Sequence, residues 1–210
     1  MRHVDHNGDS AGPGLRPAAH FWAHVTAFGA LWGVVEITLG AFLHTLRVPF
    51  VGVVMASTSA ALLVGQRQLL PRRGVSVATG VVAALCKSIS PGGIILGPMI
   101  GIFTEALLVE LSLLLAPRRL VSAMLAGALC TLWSAFQGLL TQYLLYGGRI
   151  VDLYLAALGH ASRWLHLSPG TGWWGLALLS TVVGLVGAVG AVAGRRVGID
   201  SGRRLFWVAW

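Results

Sequence analysis

Three glutamates and one lysine inside apolar stretches are the residues of this chain best suited to chemistry. Glu36, Glu105 and Glu110 are its only glutamates, and Lys87 is its only lysine. Such groups can hold an ionic or amine-bearing ligand, pair with one another, or carry a proton. Because an ionised group in hydrocarbon is costly, these side chains normally face a bundle interior or a wet cavity. The pattern predicts a buried polar site.

The surrounding chain has the composition of an integral membrane protein. Of its 210 residues, 56% are hydrophobic and only 10% are charged, whereas an average soluble domain is roughly one-quarter charged. The net charge of +8 comes largely from arginines placed between apolar runs. This distribution indicates membrane topology rather than nucleic-acid binding. We therefore expect a lipid bilayer, and no nucleic acid, among the partners.

Six apolar runs predict an all-α integral membrane protein with six transmembrane helices. We expect residues 1–20 to form a disordered cytoplasmic tail, 21–194 the membrane domain, and 195–210 a cytoplasmic C-terminal tail. The third run is the shortest and reaches only about 22 Å as a helix. The runs are 21–43, 48–64, 75–89, 98–115, 120–145 and 173–193.

The positive charges predict that both termini are cytoplasmic and that the protein is a multi-pass protein of the cell (inner) membrane. With the N-terminus inside, the inner segments carry eleven positive charges and the outer segments four. Positive residues favour the cytoplasmic side of a membrane. Two inner turns are predicted at Leu-Pro-Arg-Arg (70–73) and Ala-Pro-Arg-Arg (116–119), where proline stops each helix.

Two of the glutamates are predicted to lie at a similar depth. Counting about 1.5 Å per residue from the outer helix ends places Glu36 and Glu105 about 10 Å below the outer boundary. Lys87 lies near the outer end of the third helix, so the three can line one outward-facing pocket. The segment 88–101, with two prolines and four glycines, suits close backbone approach to a ligand. Further candidates for substrate binding are His44, Arg47, Gly92, Gly93, Gln137, Trp173 and Trp174.

Several of these residues have a structural alternative. Lys87 either extends to the outer interface or pairs with a glutamate. Glu110 lies deeper, toward the cytoplasmic half, and is either protonated or in contact with a partner subunit. Gln137 is suited to an interhelical hydrogen bond, and Trp173 and Trp174 to the aromatic belt at a membrane interface.

Motifs for hydrolysis and metal binding are missing from the sequence. It has no Gly-x-x-x-x-Gly-Lys-Ser/Thr loop for ATP, no Gly-x-Ser-x-Gly elbow and no His-Glu-x-x-His helix. His20 and His24 stand one helical turn apart, but no cysteine or carboxylate accompanies them at ligand spacing. We therefore expect neither an ATPase nor a hydrolase, no cofactor and no metal site.

A family resemblance extends over about residues 20–195. The features that carry it are the small size, the six predicted helices, Leu-Gly-Ala-Phe-Leu-His at 39–44 leading into Arg-Val-Pro-Phe at 47–50, and the glycine-rich 90–98 segment before an acidic helix. In these the chain resembles the substrate-binding S-component of energy-coupling-factor (ECF) vitamin transporters. Ala23 and Ala27 also match the Ala-x-x-x-Ala contact of that family with its coupling subunit.

The resemblance implies that the chain captures a small water-soluble micronutrient from outside. It also implies partners, namely a transmembrane coupling subunit and two cytoplasmic ATPase subunits. Two other functions fit the residues. One is a proton-coupled secondary transporter that uses Glu105 or Glu110, and the other is an accessory membrane subunit without a transport role.

Overall fold

The computed structural model describes residues 17–48, 50–89, 96–115, 119–149 and 172–208. Within these ranges the chain forms six helices and no strand. We number them α1 (Pro17–Thr45), α2 (Val51–Leu69), α3 (Val75–Ser88), α4 (Leu96–Leu115), α5 (Leu120–Tyr146) and α6 (Gly172–Val208).

Four of the described helices are long and apolar enough to cross a membrane. Together with the composition, they indicate a membrane protein. Helix α3 is apolar but has only 14 residues, which corresponds to about 21 Å. The four candidate spans are Ala18–Thr45, Gly97–Leu115, Leu120–Thr141 and Trp174–Arg204.

Helix α2 is the centre of the bundle and contacts each of the other five helices. This position explains why α2 tolerates polar residues, since its neighbours are protein rather than lipid. Ser59 and Gln66 are both buried, and Gln66 Nε2 donates a hydrogen bond to Thr79 Oγ1 of α3 at 2.9 Å. Around α2, helix α1 packs on α3, α3 on α4, α4 on α5, and α5 on α6.

Small residues let α6 approach α2 and α5 closely. A Cβ atom added at Gly194 would collide with the backbone carbonyl of Ala61 in α2. At the other interface, Gly127 and Gly187 face each other's carbonyl oxygens across α5 and α6. Such contacts allow packing and hydrogen bonding to hold membrane helices together where burial of apolar surface contributes little.

Two helices continue well past their predicted ends. Helix α2 runs to Leu69 rather than 64, and α6 runs to Val208 rather than 193. In both cases polar residues end the apolar run, but the helix continues because α2 and α6 still pack on each other beyond this point. Gly198 of α6, for example, lies directly against the Gly65 carbonyl of α2. Residues 195–208, predicted to belong to the cytoplasmic C-terminal tail, are helical, and their location stays a prediction.

The predicted turn at 70–73 lies at the same end of the bundle as the end of α4, whereas residues 116–118 of the second predicted turn lie outside the described residues. The carboxylate of Glu110, near the end of α4, accepts a hydrogen bond from the Gly74 N–H at the start of α3. His20 of α1 and Gly202 of α6 share a cavity with the end of α2, so they lie at this same end. We call the end that holds residues 67–74 and 195–204 the arginine face, and the opposite end the distal face.

Candidate functional site

The position of Glu36 follows from the close packing of α1 on α3. Gly29, Gly33 and Glu36 are spaced four and three residues apart, so they share one face of α1. A Cβ atom at Gly33 would lie 2.6 Å from Cys86 Cβ of α3. The absence of a side chain at this position lets the helices approach, and it directs Glu36 toward the last turn of α3, which carries Lys87.

Glu36 is half-buried and contacts two neighbouring side chains. Trp32, one turn earlier, donates its Nε1–H to Glu36 Oε1 at 3.3 Å. Lys87 Nζ donates to the backbone carbonyl of Glu36 at 3.4 Å, rather than to its carboxylate. Lys87 therefore lies beside Glu36 as predicted, but its hydrogen bond joins the main chain of α1 to α3.

Glu105 is the most deeply buried acidic group at this site, with a relative exposure of 7%. The hydroxyl of Ser59 lies beside its carboxyl group, and Glu36 is close enough to interact with it electrostatically. Ser59 nevertheless donates its proton to the Met55 carbonyl at 2.8 Å. Among the described residues, Glu105 Oε2 has no hydrogen-bond partner. A buried oxygen in this state needs a donor, which a ligand or an added proton can supply.

The two carboxyl groups and one ammonium group define what this site can do. Glu36 and Glu105 offer carboxyl oxygens from two different helices, and Lys87 already donates to a carbonyl group. The arrangement favours a ligand that donates hydrogen bonds or carries positive charge. In the part of the chain that the structure describes, no group of three or more histidine, cysteine, aspartate or glutamate side chains is placed to hold a metal ion.

Gln137 lies one turn nearer the distal face. Its Nε2 donates to the Gly97 carbonyl at 2.6 Å, and a Cβ atom at Gly101 would meet its Oε1 at 2.6 Å. Gly101 precedes Glu105 by four residues, so Gln137 packs on the same stripe of α4 as Glu105. The predicted interhelical hydrogen bond of Gln137 is thus present.

His44 and Arg47 are exposed at the distal end of α1. The helix ends in a Schellman motif, in which Arg47 N donates to the His44 carbonyl at 3.1 Å and Val48 N to the Leu43 carbonyl at 3.2 Å. Arg47 occupies the left-handed position with φ 52°, where glycine is usual. The turn presents the His44 and Arg47 side chains at the rim of the distal face.

The structure does not bring every predicted residue to the acidic pair. Trp174 is 75% exposed and belongs to α6, which contacts α2 and α5 but none of the helices that carry Glu36, Lys87 or Glu105. The Trp173 side chain lies outside the described residues. Gly92 and Gly93 lie outside the described residues altogether.

Glu110 has a role that the sequence analysis missed. It forms a salt bridge with Arg67 of α2, with Nη1 and Oε1 separated by 3.2 Å. It also accepts hydrogen bonds from the backbone N–H groups of Gly74 at 2.7 Å and Ser76 at 3.2 Å. Protonation or contact with another subunit was expected, but the structure pairs Glu110 within its own chain. The carboxylate caps the positive N-terminus of α3, whose N-cap glycine has no side chain to do so.

Comparison of the chain with protein-family models, with curated proteins and with solved structures gave no match. The residues and their geometry are therefore the evidence for its function. The acidic pair of Glu36 and Glu105, together with the unsatisfied oxygen of the latter, is the feature that most requires explanation.

Proposed function

We propose that this chain is the substrate-capturing membrane subunit of an ATP-driven micronutrient importer of the ECF type. The observation that carries the proposal is the buried Glu105 carboxyl group beside Glu36, with one oxygen that lacks a donor. The resemblance of residues 20–195 to S-components supports the same conclusion. Separate coupling and ATPase subunits supply the energy, since the sequence has no phosphate-binding loop of its own.

The proposed topology has six crossings with both termini in the cytoplasm. Supporting it, the start of α1, the end of α2 and the second half of α6 meet at the arginine face. An even number of crossings brings both ends of a chain to one side. Because arginine favours the cytoplasmic side, the distal face with Glu36 and Glu105 is directed outward.

The proposed ligand is a small water-soluble molecule that bears an amine or another positively charged N–H group. Glu105 Oε2 accepts a hydrogen bond from this group, and Glu36 balances its charge. His44 and Arg47 form part of the rim through which the ligand enters. The other residues proposed to complete the site are Lys87, Gly92, Gly93, Gln137 and Trp173.

The proposed contact with the coupling subunit lies on the free side of α1. Ala23 and Ala27 are both exposed, as are Thr26 and Ala30 beside them. Helix α1 packs only on α2 and α3 among the described helices. Small exposed residues at four-residue spacing permit close approach of another transmembrane helix, which supports the partner inferred from the resemblance.

The test begins with the full chain purified in a mild detergent, from which co-purified small molecules are released and identified by mass spectrometry. Binding of the identified molecule is then measured by titration calorimetry for the native chain, Glu36→Gln and Glu105→Gln. Loss of a charge-assisted hydrogen bond of about 1.5–3 kcal/mol predicts an affinity decrease of about tenfold or more at Glu105. Asp200→Asn removes an exposed carboxylate of α6 and serves as the charge-matched control.

Unchanged affinity in both glutamine variants would remove the acidic pair from ligand binding. Copurification of coupling and ATPase subunits, with uptake that requires ATP, is expected alongside the binding result. Uptake by the purified chain alone would contradict the importer proposal.

A proton-coupled secondary transporter is the second candidate, and Glu105 is the observation that favours it. A buried carboxyl group with one unsatisfied oxygen is also suited to gain and release a proton. Glu110 is less suited, because Arg67 and two backbone N–H groups already hold its carboxylate. Concentrative uptake into vesicles that contain only this chain and a proton gradient would favour this candidate.

A further inference from the structure

Three fully buried polar side chains lie where the second half of α2 packs on the start of α3. Gln66, Ser76 and Thr79 each have a relative exposure of 0%. Gln66 Nε2 donates to Thr79 Oγ1 at 2.9 Å, but Gln66 Oε1 and Ser76 Oγ have no hydrogen-bond partner among the described residues. A buried polar atom without a partner is costly, so two of them at one interface indicate a further bound molecule.

The position of Ser76 in its helix explains why the hydroxyl group has no partner there. Ser76 is the second residue of α3, so no helical carbonyl lies four residues before it. Buried Ser112 of α4, by contrast, donates to the Leu108 carbonyl four residues earlier. Exchanging the amide oxygen and nitrogen of Gln66 would leave Nε2 without a partner in place of Oε1, so one amide atom needs a further partner in either orientation.

Helix geometry brings the two unsatisfied atoms to the same face of α3. Ser76 and Thr79 are three residues apart, so their Cβ atoms lie about 5–6 Å from each other on one side of the helix. The amide group of Gln66 reaches this side, where it contacts Thr79. Gln66 Oε1 and the Ser76 hydroxyl group are therefore neighbours that are not joined by a direct hydrogen bond.

The surroundings favour a small neutral molecule over an ion. Val25, Leu70 and Val75 form a buried apolar cluster beside the start of α3, which separates these polar atoms from bulk solvent. Glu110, the carboxylate that reaches this part of α3, is already paired with Arg67 and accepts two backbone N–H groups. Little negative charge is left to hold a cation, and an unpaired buried ion is costly.

We propose that a single buried water molecule links α2 to α3 at this position. The water donates to Gln66 Oε1 and accepts from the Ser76 hydroxyl group, and the Thr79 hydroxyl group supplies a third hydrogen bond, about the usual number for a buried water. Because Ser76 also gives its N–H to Glu110, the water connects the Gln66–Thr79 pair with the salt-bridged carboxylate. The proposal does not depend on the ligand of the distal site.

The direct test is a crystal structure of the native full chain, grown from a lipid phase, at a resolution that shows ordered water. We expect one spherical density peak within about 2.7–3.2 Å of both the Gln66 amide and Ser76 Oγ. A direct hydrogen bond between Gln66 and Ser76, or between the Ser76 hydroxyl group and Glu110, would overturn the proposal. This test needs no variant, so it decides the matter even where a substitution prevents folding.

A double-mutant cycle tests the connection in solution, by reversible unfolding of the full chain in detergent micelles. Ser76→Ala and Gln66→Met each remove one partner of the same water, so their combined effect on the unfolding equilibrium constant should differ about fivefold from the product of the single effects. Ser112→Ala is the matched control, because Ser112 already bonds within its own helix. Its effect should simply multiply with that of Gln66→Met.

Two results of the solution experiments would contradict the water bridge. One is an effect of Ser76→Ala that multiplies with that of Gln66→Met just as the Ser112→Ala control does. The other is a gain in stability of the native chain when sodium chloride replaces choline chloride at equal concentration, which would assign the position to a cation.

Discussion

Glu110→Gln tests whether the carboxylate between α2, α3 and α4 stabilises the bundle. The native side chain accepts two backbone N–H groups and contacts Arg67 with both oxygens, at 3.2 and 3.4 Å. Glutamine keeps the shape but has one acceptor oxygen and no charge. The variant therefore loses at least one of the N–H bonds, and it leaves Arg67 without the charge of its partner.

The expected cost follows from burial and from the number of contacts. The side chains of Arg67 and Glu110 are only 12% and 6% exposed, so solvent screens their interaction weakly. Breaking a buried pair costs about 3–5 kcal/mol, and the one N–H bond that glutamine retains offsets part of this cost. We expect Glu110→Gln to lower the free energy of unfolding by about 3 kcal/mol. Arg67→Met should cost less, about 1–2 kcal/mol. In this variant Glu110 still accepts hydrogen bonds from both backbone N–H groups and still interacts with the positive end of the α3 dipole.

The assay is reversible unfolding in mixed micelles of a mild detergent and sodium dodecyl sulfate, followed by far-ultraviolet circular dichroism. Asp200→Asn is the control and should change stability by less than about 0.5 kcal/mol. If Arg67→Met is as costly as Glu110→Gln, the ion pair and not the α3 cap dominates. A cost below about 1 kcal/mol for Glu110→Gln would contradict the structural role altogether.

Two further predictions use the same unfolding measurement. Gly194→Leu puts a side chain where the Ala61 carbonyl lies, so we expect a loss of about 1–3 kcal/mol or more. A Cβ atom at Gly138 would meet no atom within 4 Å, so Gly138→Leu should show no such loss of stability. Equal losses in Gly194→Leu and Gly138→Leu would refute the packing argument. Arg47→Gly relieves a left-handed backbone at φ 52° and should stabilise the chain by about 1 kcal/mol. If Arg47 also contacts the ligand, the same variant will bind it more weakly; a destabilised variant would contradict the turn assignment.

The sequence predicted the positions of the helices well because their breaks have local causes. Leu-Pro-Arg-Arg before Gly74 separates α2 from α3, and the second Pro-Arg-Arg falls between Leu115 and Leu120. Proline lacks the N–H and the backbone freedom that a continuing helix needs. Whether all six helices cross the membrane, and in which direction, stays a prediction.

Side-chain facing was harder to predict, because a membrane helix is apolar toward both lipid and protein. No change in polarity marks the inward face, so Trp174 and Glu105 were placed in one pocket although their helices do not contact each other. The partner of Glu110 was equally hidden. Arg67 is 43 residues away in sequence. The other groups that donate hydrogen bonds to Glu110 are backbone N–H groups, which carry no sequence signal.

The short α3 and its borrowed cap have a consequence for biogenesis. During synthesis, the 14 residues of α3 leave the ribosome before Glu110 does, so the nascent helix at first has neither full membrane-spanning length nor its anionic cap. Stable insertion of α3 should therefore wait until α4 enters the translocon. Chains truncated before residue 110 and released from the ribosome are expected to leave α3 accessible to aqueous cysteine-labelling reagents, whereas released chains that include all of α4 should protect it.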